Sequence, residues 1–325
     1  MLGALLEGPG RFKLSPMPTP VPKAGEVLVR LEQTGVCGSD VHLFLGHRTL
    51  PGPLVIGHEG LGQIVAVGEG VSRSIGERVV IEPNCPCGRC RFCTQKQGAI
   101  CPHKRVLGVT EQGCFAEYLA WPEAFCWNVP AGLSDADAVT VEPMAVAYHA
   151  LKKSGVINGE TVLVIGLGAI GLLLTHLALA QGLTVWVLDP QPRRLQTALA
   201  MGAQPADVKA IPDDVAVVFE CAGAKDTASL AITLAPRGAK VVLLGISGHP
   251  ASFIPLQVVR EGISILPSLI YDHPQDFQSV LDLIAGGIIR PGFIVSHRTK
   301  LEDIQNALEW AARGEVLKVV VTMGG

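Results

Sequence analysis

The chain has little charge and no excess of one sign: 17% of its 325 residues are charged and the formal net charge is -3. That balance excludes the basic footprint of a nucleic-acid binder, and with 48% apolar residues it excludes a disordered chain. No basic segment precedes a sustained apolar run at the start, "MLGALLEGPGRFKLSP", so no signal peptide is predicted and the cytoplasm is expected. Internal repeats and low-complexity tracts are also missing. One long apolar run exists, residues 162 to 180, but three glycines crowd its first half and His176 interrupts the second. A buried strand, turn and helix is predicted there rather than a membrane span.

An even cysteine count is the other absence. Nine cysteines without a secretion signal argue against a disulfide framework and for metal binding or free thiols. Five of them lie in residues 85 to 101, where Cys87, Cys90, Cys93 and Cys101 form a C-x-x-C-x-x-C-x7-C pattern. Four thiolates at that spacing suit a closed tetrahedral zinc site; an iron-sulfur cluster and a zinc ribbon use similar spacings. Cys85 falls outside the pattern and is given no ligand role.

A chain of this length predicts two domains. Up to about residue 140 the segments are short, rich in Val and Ile and broken by Gly or Pro, which predicts an antiparallel or barrel-like β domain. Beyond Glu142 strands alternate with helical stretches, the pattern of a doubly wound parallel sheet. After about residue 270 the alternation relaxes, and that tail is expected to rejoin the first domain.

The stretch "VLVIGLGAIG" runs a strand into Gly166, Gly168 and Gly171 and then into a helix. Gly166 permits a tight turn, Gly168 lets backbone approach a pyrophosphate, and Gly171 lets the helix pack on its strand. Asp189 closes the next strand, where a carboxylate accepts hydrogen bonds from an adenosine ribose and repels a 2'-phosphate. NAD is therefore expected over NADP, although Arg193 and Arg194 follow within one turn. Cys37, His58 and Glu59 offer zinc-type donors, but a single buried Cys or His is more often a core residue than a ligand.

"GVCGSDVH", "GHE" followed by "GLGQIVAVG", the cysteine quartet, "EPMAVAYHA", "GLGAIG" with Asp189, and "ECAGA" occur in one order. In that order they resemble the zinc-dependent medium-chain dehydrogenase/reductase superfamily over essentially the whole chain. Glu142, where classical alcohol dehydrogenases carry a cysteine, makes the sequence most similar to the polyol branch. The resemblance implies an α/β protein. A GroES-like catalytic domain would span 1–142 and 273–325, with a Rossmann NAD-binding domain over 143–272 and the active site in the cleft.

It also implies a catalytic zinc held by Cys37, His58 and some combination of Glu59 and Glu142. The quartet would hold a structural zinc. By the same resemblance Ser39 passes the alcohol proton through a ribose hydroxyl to His42. Gly166, Gly168, Ala169, Ile170, Gly171, Asp189, Arg194, Gly245 and Leu269 would contact the coenzyme, and Phe44, Phe115 and Tyr271 the substrate. Two departures stand out. Ile270 replaces an arginine of animal sorbitol dehydrogenases and makes the pocket more apolar. The segment 202–223 has little room for the extra helix usual between those strands. A small secondary alcohol, no membrane or nucleic-acid partner, and a homodimer or homotetramer are expected.

Overall fold

The computed structural model describes residues 1–50 and 52–324. The chain divides into two compact units. The first holds Met1–Glu142, His273–Ala285 and Arg290 to the end of the described chain; the second holds Pro143–Asp272 and Gly286–Ile289. The four residues Gly286–Ile289 thus group with the second unit, although the sequence reading assigned them to the first.

The first unit is built on a seven-stranded sheet centred on Glu26–Gly35, which pairs antiparallel with Glu59–Val67, with Tyr118–Pro122 and with Lys318–Thr322. Val27, Val29, Ile64, Val79, Ile81, Val319 and Val321 are buried and form, with Ile56, Phe115 and Trp121, one apolar core. The C-terminal strand Lys318–Thr322 is in this sheet, so the tail does rejoin the first unit. The segment "PGFIVSHR" begins as a 3-10 turn at Pro291–Ile294 and becomes a strand only at Val295–Lys300. The helix Gln275–Ala285 buries Phe277, Val280, Leu281 and Ile284, one face at helical spacing.

The second unit is a six-stranded, all-parallel sheet. Taken across the sheet, its strands are Gln204–Pro205, Thr184–Leu188, Thr161–Ile165, Val215–Glu220, Lys240–Leu243 and Ser264–Pro267. Ranked along the chain this is the order 3-2-1-4-5-6, the doubly wound arrangement whose direction reverses between Thr161–Ile165 and Val215–Glu220. The strand Thr161–Ile165 is buried at every position, as a central parallel strand must be. The helix Ala169–Ala180 that follows is twelve residues long and apolar but for Thr175 and His176. No helix among the described residues is long and apolar enough to cross a membrane. No helix lies between Gln204–Pro205 and Val215–Glu220, in line with the short segment noted above.

Candidate active site and metal centres

In the first unit the strand Glu26–Gly35 ends two residues before Cys37, which begins the helix Gly38–Phe44 as its N-cap. A capping box fixes that start, because Asp40 accepts the Cys37 backbone N–H at 2.9 Å. His58 immediately precedes the neighbouring strand Glu59–Val67, whose register sets Glu59 opposite Gly35. A side chain at position 35 could not be accommodated: its Cβ would lie 2.0 Å from Glu59 Oε2. Backbone pairing thus brings Cys37, His58 and Glu59 together, one donor atom of each within 4.8 Å of the others.

Asp40 is the residue that sequence reasoning missed. Its Oδ1 is 3.3 Å from His58 Nδ1, and at 1% exposed it is nearly sealed from solvent. Burial works against the His58 imidazolium, but the charges of Asp40 and then Cys37 outweigh it and raise the pKa well above the ordinary value. With Nδ1 turned to a carboxylate, Nε2 is the nitrogen left for a metal, the usual orientation of a zinc-binding histidine. Ser39 Oγ stands 3.5 Å from that Nε2.

Glu59 carries a second surprise. Lys318 reaches in from the C-terminal strand and donates to Glu59 Oε1 at 2.6 Å, to Oε2 at 2.8 Å and to the Val36 carbonyl at 3.0 Å. Burial opposes the ammonium, and Glu59, Cys37 and Glu142 more than compensate, so the Lys318 pKa is raised. The donor set is therefore Cys37 and His58, which bind a metal only as thiolate and neutral imidazole, and a Glu59 whose charge is already answered. Glu142, in the first turn of the helix Val141–Ser154 and buried, stands outside the 4.8 Å group.

The quartet passes a stricter test. Its sulfur separations are 3.9 Å for Cys87 to Cys93, 3.5 Å for Cys90 to Cys93 and 3.8 Å for Cys90 to Cys101. A tetrahedral ion with Zn–S bonds of about 2.3 Å needs sulfur edges of about 3.8 Å, whereas a disulfide would need about 2.0 Å. All nine cysteines are free. Backbone N–H groups of Arg89 and Cys90 lower the Cys87 thiol to about 6, while burial and the neighbouring thiols push Cys93 up to about 12. Four thiols this close compete for protons, and a divalent cation removes that competition. Cys85 packs against the apolar core with its Sγ 4.0 Å from the Pro86 carbonyl, and burial raises its pKa. Cys85→Ala is expected to leave the zinc content of purified protein unchanged by atomic absorption; loss of one zinc per chain would bring Cys85 into the ligand set.

In the second unit the glycine turn fits a dinucleotide. Gly166 is left-handed at φ +90, and a Cβ there would strike Ala222 at 2.6 Å. A Cβ on Gly171 would lie 1.9 Å from the Gly166 carbonyl, so the helix sits directly on its strand. Gly168, the helix N-cap, faces open space, where bare backbone and the N–H groups of Ala169 and Ile170 suit a pyrophosphate. Asp189 Oδ2 accepts the Leu167 N–H at 2.6 Å and Oδ1 the Gln191 N–H at 2.7 Å. Each oxygen keeps a lone pair for a ribose hydroxyl. Arg194 is half-buried on the next helix, Pro192–Ala200. Sequence reasoning also passed over Glu220, whose Oε1 accepts the Ala222 and Gly223 N–H groups at 2.9 Å each. Its Oε2 would meet a Cβ on Gly245 at 2.4 Å, so it packs the turns beside the glycine motif together.

The expected substrate residues are placed unevenly. Phe44 stacks on Phe12 at 5.8 Å, and Phe44 and Phe115 are 3% and 0% exposed within the apolar core. Phe115 lies under Gly57, whose Cβ would meet its ring at 2.9 Å, so it supports the His58 loop from beneath. In the second unit Tyr271 is buried and Leu269 exposed. Between them Ile270 takes φ 49, a strained left-handed conformation for a β-branched residue.

Two family models match this chain: the alcohol dehydrogenase GroES-like domain over residues 23–131 and the zinc-binding dehydrogenase domain over residues 169–286. Sorbitol dehydrogenase of Halalkalibacterium halodurans is 31% identical, with 97% of this chain and 96% of that protein covered. The NADH complex of RspB from Escherichia coli CFT073, described as a short chain alcohol dehydrogenase, superposes with a TM-score of 0.92 at 31% identity over 99% of both chains. An NADP-bound zinc-binding dehydrogenase from Sinorhizobium meliloti gives 0.93 at 31% identity, covering 99% of this chain and 98% of that one. A GroES-like unit and a doubly wound unit define a medium-chain dehydrogenase fold. The chain belongs to the zinc-type medium-chain dehydrogenase superfamily, in its polyol dehydrogenase-like branch.

Proposed function

We propose that this chain is a zinc-dependent oxidoreductase that transfers a hydride between a small secondary alcohol and NAD. The carrying observation is the grouping of Cys37, His58 and Glu59 in a chain of this family that also has the dinucleotide turn. Zinc, when bound, acts as a Lewis acid on the substrate oxygen, and NAD accepts the hydride.

The chain's own residues do the rest. Cys37 and His58 hold the metal, with Asp40 fixing the ring of His58. Glu59 and Glu142 supply further carboxylate, and Glu59 is steadied by Lys318. Ser39 takes the alcohol proton and His42, exposed on the same helix, releases it. Cys87, Cys90, Cys93 and Cys101 hold a structural zinc that stabilises an otherwise irregular loop. Gly166 to Gly171, Asp189, Arg194, Gly245 and Leu269 seat the coenzyme, and the carboxylate of Asp189 favours NAD over NADP. Tyr271 is the proposed substrate contact of the second unit, and the apolar side chain of Ile270 beside it in sequence favours a small polyol, diol or hydroxy amino acid over a long polyol.

A homodimer or homotetramer is supported by the second unit. There Ile254, Leu256 and Val259 are 64%, 62% and 78% exposed, next to the edge strand Ser264–Pro267. An uncovered strand edge flanked by apolar side chains is a surface proteins rarely leave to solvent. The cytoplasm is the proposed compartment. The test is a panel of secondary alcohols offered to zinc-loaded protein with NAD or NADP, read at 340 nm. Turnover of at least one with NAD is expected. A protein that binds the nucleotide and oxidises none is a nucleotide-binding relative that lost the chemistry, and one that contains no zinc is a quinone or enone reductase.

A further inference from the structure

His42 is not alone at the end of its helix. After Phe44 the chain turns through Leu45 and Gly46, and Gly46 is left-handed at φ +76. A Cβ at Gly46 would lie 2.7 Å from Pro9 Cγ, so the turn does not readily admit another residue there. It closes with the His47 N–H donating to the His42 carbonyl at 2.9 Å. The result is that the two rings meet: Nδ1 of His42 lies 3.2 Å from Nδ1 of His47, with ring centroids 5.4 Å apart and planes at 52°.

Two imidazole nitrogens at that distance make a hydrogen bond only if one carries hydrogen and the other a lone pair. One proton is therefore shared between the two Nδ1 atoms, and the tautomer of each ring is tied to the other. If His42 holds it, Nε2 of His42 is left as a lone pair, which is the state a proton acceptor needs. Both rings are exposed, so His47 is not required as a conduit through the protein. Its use lies in fixing which nitrogen of His42 is basic and in sharing the charge once a proton arrives.

We propose that His47 is the second member of a proton-exit dyad with His42, an inference that rests on the proposed role of His42 as terminal base. A proton that reaches Nε2 of His42 makes that ring an imidazolium. The Nδ1–H proton of His42 then passes to Nδ1 of His47, and the Nε2–H proton of His47 leaves to water. One proton enters, one leaves, and no electrons move. Both rings are neutral again with their tautomers exchanged, and exchange with water at the two exposed Nε2 atoms resets them.

The experiment compares His47→Phe, His47→Asn and His42→Phe with the parent holoenzyme, using an alcohol that the panel shows to be oxidised. Rates are read in a dilute non-imidazole buffer and again with added imidazole. His47→Phe is expected to lower kcat roughly five-fold, a fraction of the 10²–10⁴ that a positioned base contributes, with the KM for NAD unchanged and the rate recovered by imidazole. His47→Asn sets an amide oxygen where Nδ1 was. It keeps the acceptor that orients His42 but cannot take its proton, so it is expected to fall between the two and still respond to imidazole. If His42→Phe is slow and imidazole-responsive while His47→Phe behaves as the parent, the dyad is wrong and the terminal base stands. If His42→Phe also behaves as the parent, both are wrong.

Discussion

Cys37→Ser is expected to remove alcohol-dependent reduction of NAD while leaving the fold and one zinc per chain in place. The thiolate supplies a short, charged bond to the metal that a serine hydroxyl does not match at neutral pH. Losing a Lewis acid that stabilises developing charge costs several kcal/mol of the barrier, or on the order of a thousand-fold in kcat. The fold should survive, because position 37 is a helix N-cap and serine is a favoured N-cap. Its backbone N–H can still donate to Asp40. The contrasting substitution is Cys93→Ser, which opens a closed four-thiolate site. Structural zinc contributes on the order of 10 kcal/mol to the folded state of the segment it holds. Zinc content by atomic absorption and protease sensitivity of residues 84–106 separate the two. Cys37→Ser is expected to keep one zinc and an intact loop, Cys93→Ser to lose both the loop and its ion. Full activity in Cys37→Ser would remove Cys37 from the metal site.

How much of this was legible in the sequence follows from distance along the chain. The grouping of the cysteine quartet was legible because all four residues fall within fifteen positions, so that spacing alone brings them together. The glycine turn was legible for the same reason, since strand, turn and helix are contiguous. The four inner strands of the second unit were legible as apolar runs, and the two-residue edge strand Gln204–Pro205, exposed at both positions, was not. The last, Ser264–Pro267, was not: its pattern is exposed at three of four positions, and an edge strand with no cover has no periodicity to show. At the active site, Cys37 and His58 came from motifs. What those motifs cannot contain is the partner that reaches them through the sheet. Asp40 sits inside one of the quoted stretches, yet its contact with His58 depends on how two strands register. Lys318 is 259 residues from Glu59, in a terminal strand where a lysine reads as a solvated charge.

That lysine carries the second large effect, because its side chain is 3% exposed and that of Glu59 0%. Lys318→Met is expected to destabilise the first unit by about 3–5 kcal/mol, the cost of leaving a buried carboxylate without its partner. The same principle predicts recovery. In the double variant Lys318→Met with Glu59→Gln no charge remains to be stranded, and most of the loss should return. The coupling between the two positions is then the measured quantity, free of the packing change each makes alone. Urea unfolding of zinc-free protein, followed by fluorescence of Trp121 and Trp127 in the first unit, reads it. Zinc gives a further handle. A Glu59 released from Lys318 has one cation left to answer its charge, the ion held by Cys37 and His58. Added zinc should therefore stabilise Lys318→Met more than it stabilises the parent. A loss below about 1 kcal/mol in Lys318→Met, within the range of an exposed pair, would mean that Glu59 does not depend on the lysine and is free to serve the metal throughout.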